Sequence, residues 1–359
     1  MEQHNLKLEC MAIGSMPHKN IKEAYNIVKE TFNTIPFWPQ MVKVSKNEDM
    51  IIQFTENMPS FFPDKSYLDT EYENFYTDLE QFFIDYEIII SNEDYDNSII
   101  NKYKITENMS CGFPYLIDHI KSSKPTYAKG QIVGPFTLAT TLVDKSGKCA
   151  IYDDTLKEII IKTLSLKAIW QIKQMKTAHP KITPIIFIDE PTISQLGTSA
   201  YVSISENEVL EMLKEVSNII KSQGGLSAIH CCGKCDWKIP IQCGIDMLNL
   251  DAYSFAQNLS IYSDTVNKFL LNNGKIVWGV VPTLDIDALE KADTDIIETH
   301  FNNAVKYLTN KGINEKLIID NSLVSTSCGA GSLSVELAEK AFFLTKEISH
   351  RLKVRYNVI

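Results

Sequence analysis

The sequence has almost no arginine: none precedes Arg351. That absence removes the planar guanidinium fork that grips carboxylates at two points. Long apolar runs are missing as well. No stretch approaches the roughly 18 apolar residues of a membrane-spanning helix, so no membrane role is expected. Positive charge is in deficit, with 35 lysines and arginines against 45 acids and a net charge of -10. Counterion-release binding to nucleic acid is therefore not expected. The opening Met-Glu-Gln-His-Asn-Leu-Lys-Leu-Glu carries acid where a secretory leader carries bases and an apolar core. A cytoplasmic location is the expectation. No linker rich in Gly, Ser or Pro divides the chain, and no repeat or low-complexity stretch stands out.

What is there reads as ordinary globular composition, 44% hydrophobic and 22% charged. A length of 359 residues fits two average domains or one large α/β barrel. Short β-rich runs alternate with longer helical patterns, which favours βα units around a parallel sheet. Eight strands are expected: Cys10–Ile13, Ile35–Trp38, Ala128–Val133, Pro184–Ile188, Leu226–His230, Met247–Leu250, Lys275–Val280 and Leu317–Ser325. Helices are expected over Ile21–Phe32, Glu48–Asn57, Tyr152–Ala178, Glu206–Gln223, Thr265–Asn272, Asp287–Thr309 and Leu333–Leu352, with only a weak one near Trp237. Eight such units predict a single (β/α)8 barrel domain over residues 1–359.

The acidity is concentrated. Between Asp64 and Asn108 twelve acids face three lysines, in a stretch also rich in Tyr and Phe. That is too aromatic for a disordered tail, so residues 60–123 are expected to form a folded insertion after the second βα unit. A solvated acidic face explains it most simply; a docking surface or a lid is the sharper alternative.

Chemistry-bearing residues gather at the carboxyl ends of the expected strands, the active-site face of a barrel. Ile13-Gly14-Ser15 ends the first, Asp189-Glu190-Pro191 the fourth, and His230-Cys231-Cys232 the fifth; Asp251 follows the sixth and Cys328-Gly329 the eighth. Such convergence is hard to explain by packing, and it predicts an enzyme. Residues two apart on a strand share a face. His230 and Cys232 therefore aim together at the barrel mouth, and Cys231 aims away, toward the helices. With Cys328 they make a three-ligand set for catalytic zinc, and Asp251 is a candidate fourth ligand. An electron-rich site of this kind deprotonates an incoming thiol while leaving it nucleophilic, which suits alkylation of sulfur better than hydrolysis.

Alternatives stand beside each reading. Cys232-Gly233-Lys234-Cys235 also fits a redox pair or half a zinc knuckle, although no second CxxC completes one. Cys10, Cys111, Cys149 and Cys243 read as small buried hydrophobes. Asp189 and Glu190 could cap a helix or form an ion pair; functionally, one of them would hold a substrate ammonium. Ile13-Gly14-Ser15-Met16-Pro17-His18 is a turn taken alone, yet its N–H groups and hydroxyl suit a carboxylate. An ammonium holder and a carboxylate holder flanking a thiol-binding zinc describe an amino-acid thiol such as homocysteine.

These segments resemble, in order, those of the superfamily that holds cobalamin-independent methionine synthase and uroporphyrinogen decarboxylase. Ile13–His18 is similar to the synthase segment that contacts homocysteine, and Ile188-Asp189-Glu190-Pro191 to the motif whose aspartate binds the amino group. His230-x-Cys232 and Cys328-Gly329 are similar to its zinc ligands, and Gly130–Thr137 to a scaffold segment of the superfamily. Pro36–Gln40, His230–Trp237 and Trp278–Thr283 are similar to a subgroup of bacterial single-barrel chains. The likeness runs from Ile13 to Gly331. It implies a zinc-dependent methyltransferase acting on a thiol, with Ile13, Gly14, Ser15 and Asp189 at the substrate and His230, Cys232 and Cys328 on zinc.

Three departures matter. The synthase has a glutamate where Asp251 stands, it carries an additional amino-terminal barrel that contributes to folate binding, and it lacks the extra thiol of Cys235. A methyl-corrinoid such as methylcobalamin, perhaps carried on a corrinoid protein, is accordingly the expected donor in place of folate. Coenzyme M is an alternative acceptor, though it has no amine for Asp189. A decarboxylase reading lacks the arginines that hold porphyrin carboxylates. A non-catalytic zinc- or corrinoid-binding module is the remaining alternative, and it predicts metal without thiol turnover.

Overall fold

The strand-forming runs are apolar on both faces, the pattern of a parallel sheet covered on each side. In the computed structural model, which describes residues 6–91 and 96–359, seven of these runs form strands. They are β1 (Cys10–Met11), β2 (Tyr127–Val133), β3 (Thr183–Asp189), β4 (Leu226–Cys231), β5 (Met247–Leu250), β6 (Lys275–Val281) and β7 (Ser322–Thr326). All neighbours pair in parallel, in the order β1-β7-β6-β5-β4-β3-β2.

The gap between β1 and β2 is filled by the segment expected as the second strand. Phe37 bridges to Lys129 of β2, and Gln40 bridges to Ser15 just beyond β1, both in parallel. The segment thus closes an eight-membered barrel, but Ile35–Trp38 is not itself a strand. Pro36 and Pro39 lack the N–H groups a continuous ladder needs. The last strand is also shorter than expected. Leu317–Asp320 belongs to a helix that starts when Asn314 Oδ1 accepts from Leu317 N at 3.1 Å.

Fourteen α-helices occur among the described residues, and the larger ones cover the outside of the barrel. They run α1 (Ile21–Thr31), α2 (Phe75–Ile90), α3 (Asn97–Asn101), α4 (Phe113–Ser123), α5 (Pro135–Thr141), α6 (Asp154–Ala178) and α7 (Glu206–Ser222). The second half adds α8 (Lys238–Gln242), α9 (Ala252–Leu259), α10 (Ser263–Leu271), α11 (Ile286–Lys291), α12 (Thr294–Thr309), α13 (Glu315–Asp320) and α14 (Val335–Arg355). Asp287–Thr309, expected as one helix, is two: Asp293 Oδ1 accepts from Ile296 N at 2.8 Å and starts α12 afresh. Glu48–Asn57 is no α-helix and holds only short turns ending at Glu48 and spanning Ile52–Phe54.

The barrel's own second helix is α4. Its Tyr115 and His119 rings meet Tyr25 of α1, and its Phe113 meets Trp170 of α6 at 4.7 Å. The insertion therefore lies within the second βα unit and stops before α4, short of residue 123. It sits on the flank of α6. Lys167 of α6 donates to Glu56 O at 2.7 Å and Lys104 O at 3.1 Å, and Lys162 lies over the Tyr86 ring of α2. This cover explains why α6 is buried without interruption from Thr163 to Ile172.

Strand alternation divides the core. Ile186, Ile188 and Ile229 face the helices, while Ile185, Phe187, Ala228, Met247, Val277 and Leu323 pack together inside the barrel. Toward the carboxyl ends the inward series turns polar, with Asp189, His230 and Asn249 all buried. No helix among the described residues is long and apolar enough to cross a membrane.

Candidate metal centre

The register of β3, β4 and β5 sets Asp189 beside His230 and His230 beside Asn249. Cys232 continues the inward face one step beyond His230, and Cys328 arrives from the loop after β7. One ligand atom from each of His230, Cys232 and Cys328 lies within 4.8 Å of the others. The expected triad is assembled.

The histidine is oriented for ligation. Its Nδ1 hydrogen-bonds Asn249 Oδ1, and because an amide oxygen only accepts, Nδ1 is the protonated nitrogen. Asn249 is itself fixed, its Nδ2 donating to Val277 O at 2.9 Å and to Ser325 Oγ at 2.8 Å. Nε2 is left buried with no hydrogen-bond partner. A buried polar atom without a partner is costly, and a metal ion would satisfy it. Imidazole plus two thiolates is a zinc donor set, and the second support on Nδ1 is what zinc histidines ordinarily have. The residues present fit the ion.

The ionisable groups of the site act strongly on one another. A hydrogen bond from the Cys328 thiol and the nearby His230 hold Cys232 down at about 4, against the effect of burial. Cys328 is pushed far up by Cys232 and by burial. Burial would depress His230, but Cys232 and Asp189 outweigh it and lift the imidazole to about 9.

The loop bearing Cys328 is anchored on both sides. Thr283 Oγ1 accepts from Cys328 N and donates to Cys328 O, each at 3.0 Å, and Thr283 N donates to Ser327 Oγ at 3.0 Å. From the other side, Ser15 Oγ accepts from Gly331 N at 3.2 Å and Ser15 O accepts from Ala330 N at 3.0 Å. Gly329 must lack a Cβ, since one would strike Ser15 Oγ. Ser15 therefore positions the Cys328 loop, a role its sequence neighbours did not suggest.

Asp189 and Glu190 separate cleanly. Glu190 is wholly structural: its carboxylate accepts from Phe136 N at 3.0 Å, Thr137 N at 2.7 Å and Thr137 Oγ1, at the start of α5. Asp189 faces the barrel, and its Oδ1 is buried with no partner. Burial raises its pKa, and the Lys129 ammonium and His230 counter that. Lys129 is completely buried, donating to Ile13 O and to Gln131 Oε1 at 2.6 Å. Burial lowers it to about 8, with Asp189 working the other way. Gln131 in turn packs on Gly14, where a Cβ would come within 2.6 Å of Gln131 Oε1. Ile13, Gly14 and Asp189 are thus linked from below through Lys129.

Asp251 falls outside the triad. It is the N-cap of α9, with Oδ1 accepting from Ser254 N at 2.9 Å, and burial raises its pKa. The backbone of the first turn is also partly engaged, Met16 N donating to Gln40 O at 2.9 Å. Asn249 and Lys129 were missed by sequence reasoning. The available signal for Asn249 was its place two residues before Asp251 on the inward face of β5.

No known family profile matches the chain, and no curated protein matches it. Among solved structures, a xylose isomerase-like TIM barrel/4-hydroxyphenylpyruvate dioxygenase fusion protein aligns at 11% identity and a TM-score of 0.32, covering 68% of this chain and 42% of its own. A putative fructose-1,6-bisphosphate aldolase from Coccidioides immitis aligns at 13% identity and a TM-score of 0.25, covering 67% of this chain and 84% of its own. The chain therefore spans less than half of the first of these. The barrel assignment rests on the strand topology described above.

Proposed function

We propose that the protein is a zinc-dependent methyltransferase that alkylates a thiol, homocysteine being the favoured acceptor and a methyl-corrinoid the donor. The observation that carries this reading is the triad of one imidazole and two cysteine sulfurs beside an unpartnered, buried Asp189 oxygen. When bound, zinc supplies Lewis acidity that removes the thiol proton while the two cysteinates keep the sulfur electron-rich.

The chain's own groups do the rest. Asn249 holds His230 in the tautomer that presents Nε2, and Thr283 and Ser15 fix the Cys328 loop. Asp189 Oδ1 is free to accept from a substrate ammonium at the strand end next to His230, which favours an amino-acid thiol over coenzyme M. Overall the acceptor's S–H proton leaves, an S–C bond forms, and the donor's Co–C bond breaks with its electron pair remaining on cobalt. The cytoplasmic location and the corrinoid-protein partner belong to this proposal.

The test uses zinc-loaded full-length protein with methylcobalamin and either homocysteine or coenzyme M, following corrinoid demethylation and the methylated thiol. Methionine formation that Asp189→Asn weakens for homocysteine is expected. A fully metal-loaded protein that methylates neither thiol would remove the methyltransferase reading and leave a zinc-binding module.

A further inference from the structure

A cavity of about 950 Å3 opens at the end of the barrel opposite the metal centre. Tyr127, Thr183, Leu226, Met247 and Lys275, the first residues of β2 to β6, all line it. Leu226 and His230 stand four residues apart on β4, which puts the cavity about 13 Å below the histidine. Its floor is the apolar bottom layer of the barrel. Leu6 and Met247 belong to the interior cluster, and Tyr127 and Leu226 pack against it. Phe269 of α10 adds an aromatic wall.

The rim is cationic. Lys221, Lys268 and Lys275 line the cavity against Asp246 as its one acid, a local charge of +2 in a chain whose net charge is -10. Asp246 is already engaged: its Oδ2 accepts from Ser227 N at 2.9 Å, and its Oδ1 lies 3.6 Å from the Lys221 ammonium. Lys275 donates to the neutral Asn321 Oδ1 at 2.6 Å, and burial lowers its pKa against the pull of Asp320. Lys268 has no ion pair or hydrogen bond from its ammonium among the described residues. Gln242 and Asn272 add amide groups to the same rim.

We infer that this cavity is a second ligand site, which takes a phosphate monoester with an apolar or aromatic body. A phosphate monoester carries close to two negative charges at neutral pH, the charge the rim lacks. Its body would displace water from the apolar floor, which is favourable in proportion to the area covered. Inorganic phosphate would meet the lysines and leave that floor wet. An uncharged aromatic would cover the floor and leave the lysines unpaired. The volume lies within the roughly 300–1,000 Å3 of small-molecule sites. None of His230, Cys232, Cys328 and Asp189 lines the cavity, so the inference stands apart from the metal and from methyl transfer.

The test titrates the full-length protein, residues 1–5 included, with 1-naphthyl phosphate, following its fluorescence, and in parallel with 1-naphthol and inorganic phosphate. One saturable site per chain is expected, binding the ester at least roughly tenfold more tightly than either of its halves. Lys268→Glu is expected to weaken the ester roughly tenfold or more with circular dichroism unchanged. Lys19→Glu, the same change of charge on an exposed residue between β1 and α1, is expected to leave binding as it is. Absence of saturable binding overturns the inference, and a cavity already filled by the chain's own residues would register in that way. Binding that Lys268→Glu leaves unchanged, or that Lys19→Glu weakens equally, overturns it too. Binding abolished by Cys328→Ala places the ester at the metal centre and does the same.

Discussion

Individual side chains in this barrel take their roles from which face of a strand they occupy. His230 and Cys232 look into the mouth, and Cys231 between them looks into the helix layer. The three adjacent letters His-Cys-Cys therefore belong to two separate environments. Asn249 is the residue on which the metal geometry depends most without touching the metal. Replacing it with alanine removes the Nδ1 acceptor, and zinc affinity is expected to fall by about 10–100-fold in a chelator competition, with the fold retained by circular dichroism. Asp251 gives the opposite expectation. As the α9 N-cap it contributes about 1 kcal/mol to stability, which Asp251→Ala should remove and Asp251→Asn should keep. Zinc stoichiometry is expected to be unchanged in both. Loss of metal from a well-folded Asp251→Asn protein would place Asp251 among the ligands after all.

At the scale of elements, the parallel strands were legible because both their faces are buried and their apolar runs end abruptly. Six of the eight expected strands lie on observed ones, one of them, Met247–Leu250, end for end as β5 and the others with small shifts at the ends, as at β4. Ile35–Trp38 misled because its side chains are those of a strand while Pro36 and Pro39 interrupt the ladder. The helices α2 and α4 went unread. Acid and aromatic content drew attention to composition there, and the helical spacing of the buried Phe82, Tyr86 and Ile89 went unused. The site was more legible than its supports: the ligand residues carry rare letters, but Asn249, Thr283 and Lys129 act through long-range contacts that sequence spacing does not show.

Lys167 joins α6 to the insertion, and it supplies a pH signature. Burial lowers it from 10.5 to about 7 in the fold. Between those values the unfolded chain keeps a proton that the folded chain has given up, so stability rises with pH across that window. Lys167→Met should flatten the rise in denaturant midpoint between about pH 7 and pH 9; an unchanged slope would mean the amine stays charged in the fold throughout that window.

At the scale of the whole molecule, the barrel sorts its interior from apolar to polar along its axis. Ile185, Ala228, Met247 and Val277 fill it, and Asp189, His230 and Asn249 follow them toward the carboxyl ends. Burying so many polar groups is unfavourable unless each finds a partner. Most do, through Lys129, Gln131, Ser325 and Thr283. Among the buried atoms without a partner are Asp189 Oδ1 and His230 Nε2, which lie on neighbouring strand ends. The acidic insertion lies on the flank of α6 and also meets the segment after α5, where Leu68 bridges to Asp144.

The most direct measurement is the metal content of the purified protein beside Cys328→Ala. One zinc per chain, lost in the variant while its fold persists, is the predicted result. A wild-type protein that carries no metal and resists reconstitution with zinc would contradict the account, and so would a Cys328→Ala protein that holds zinc as tightly as the wild type.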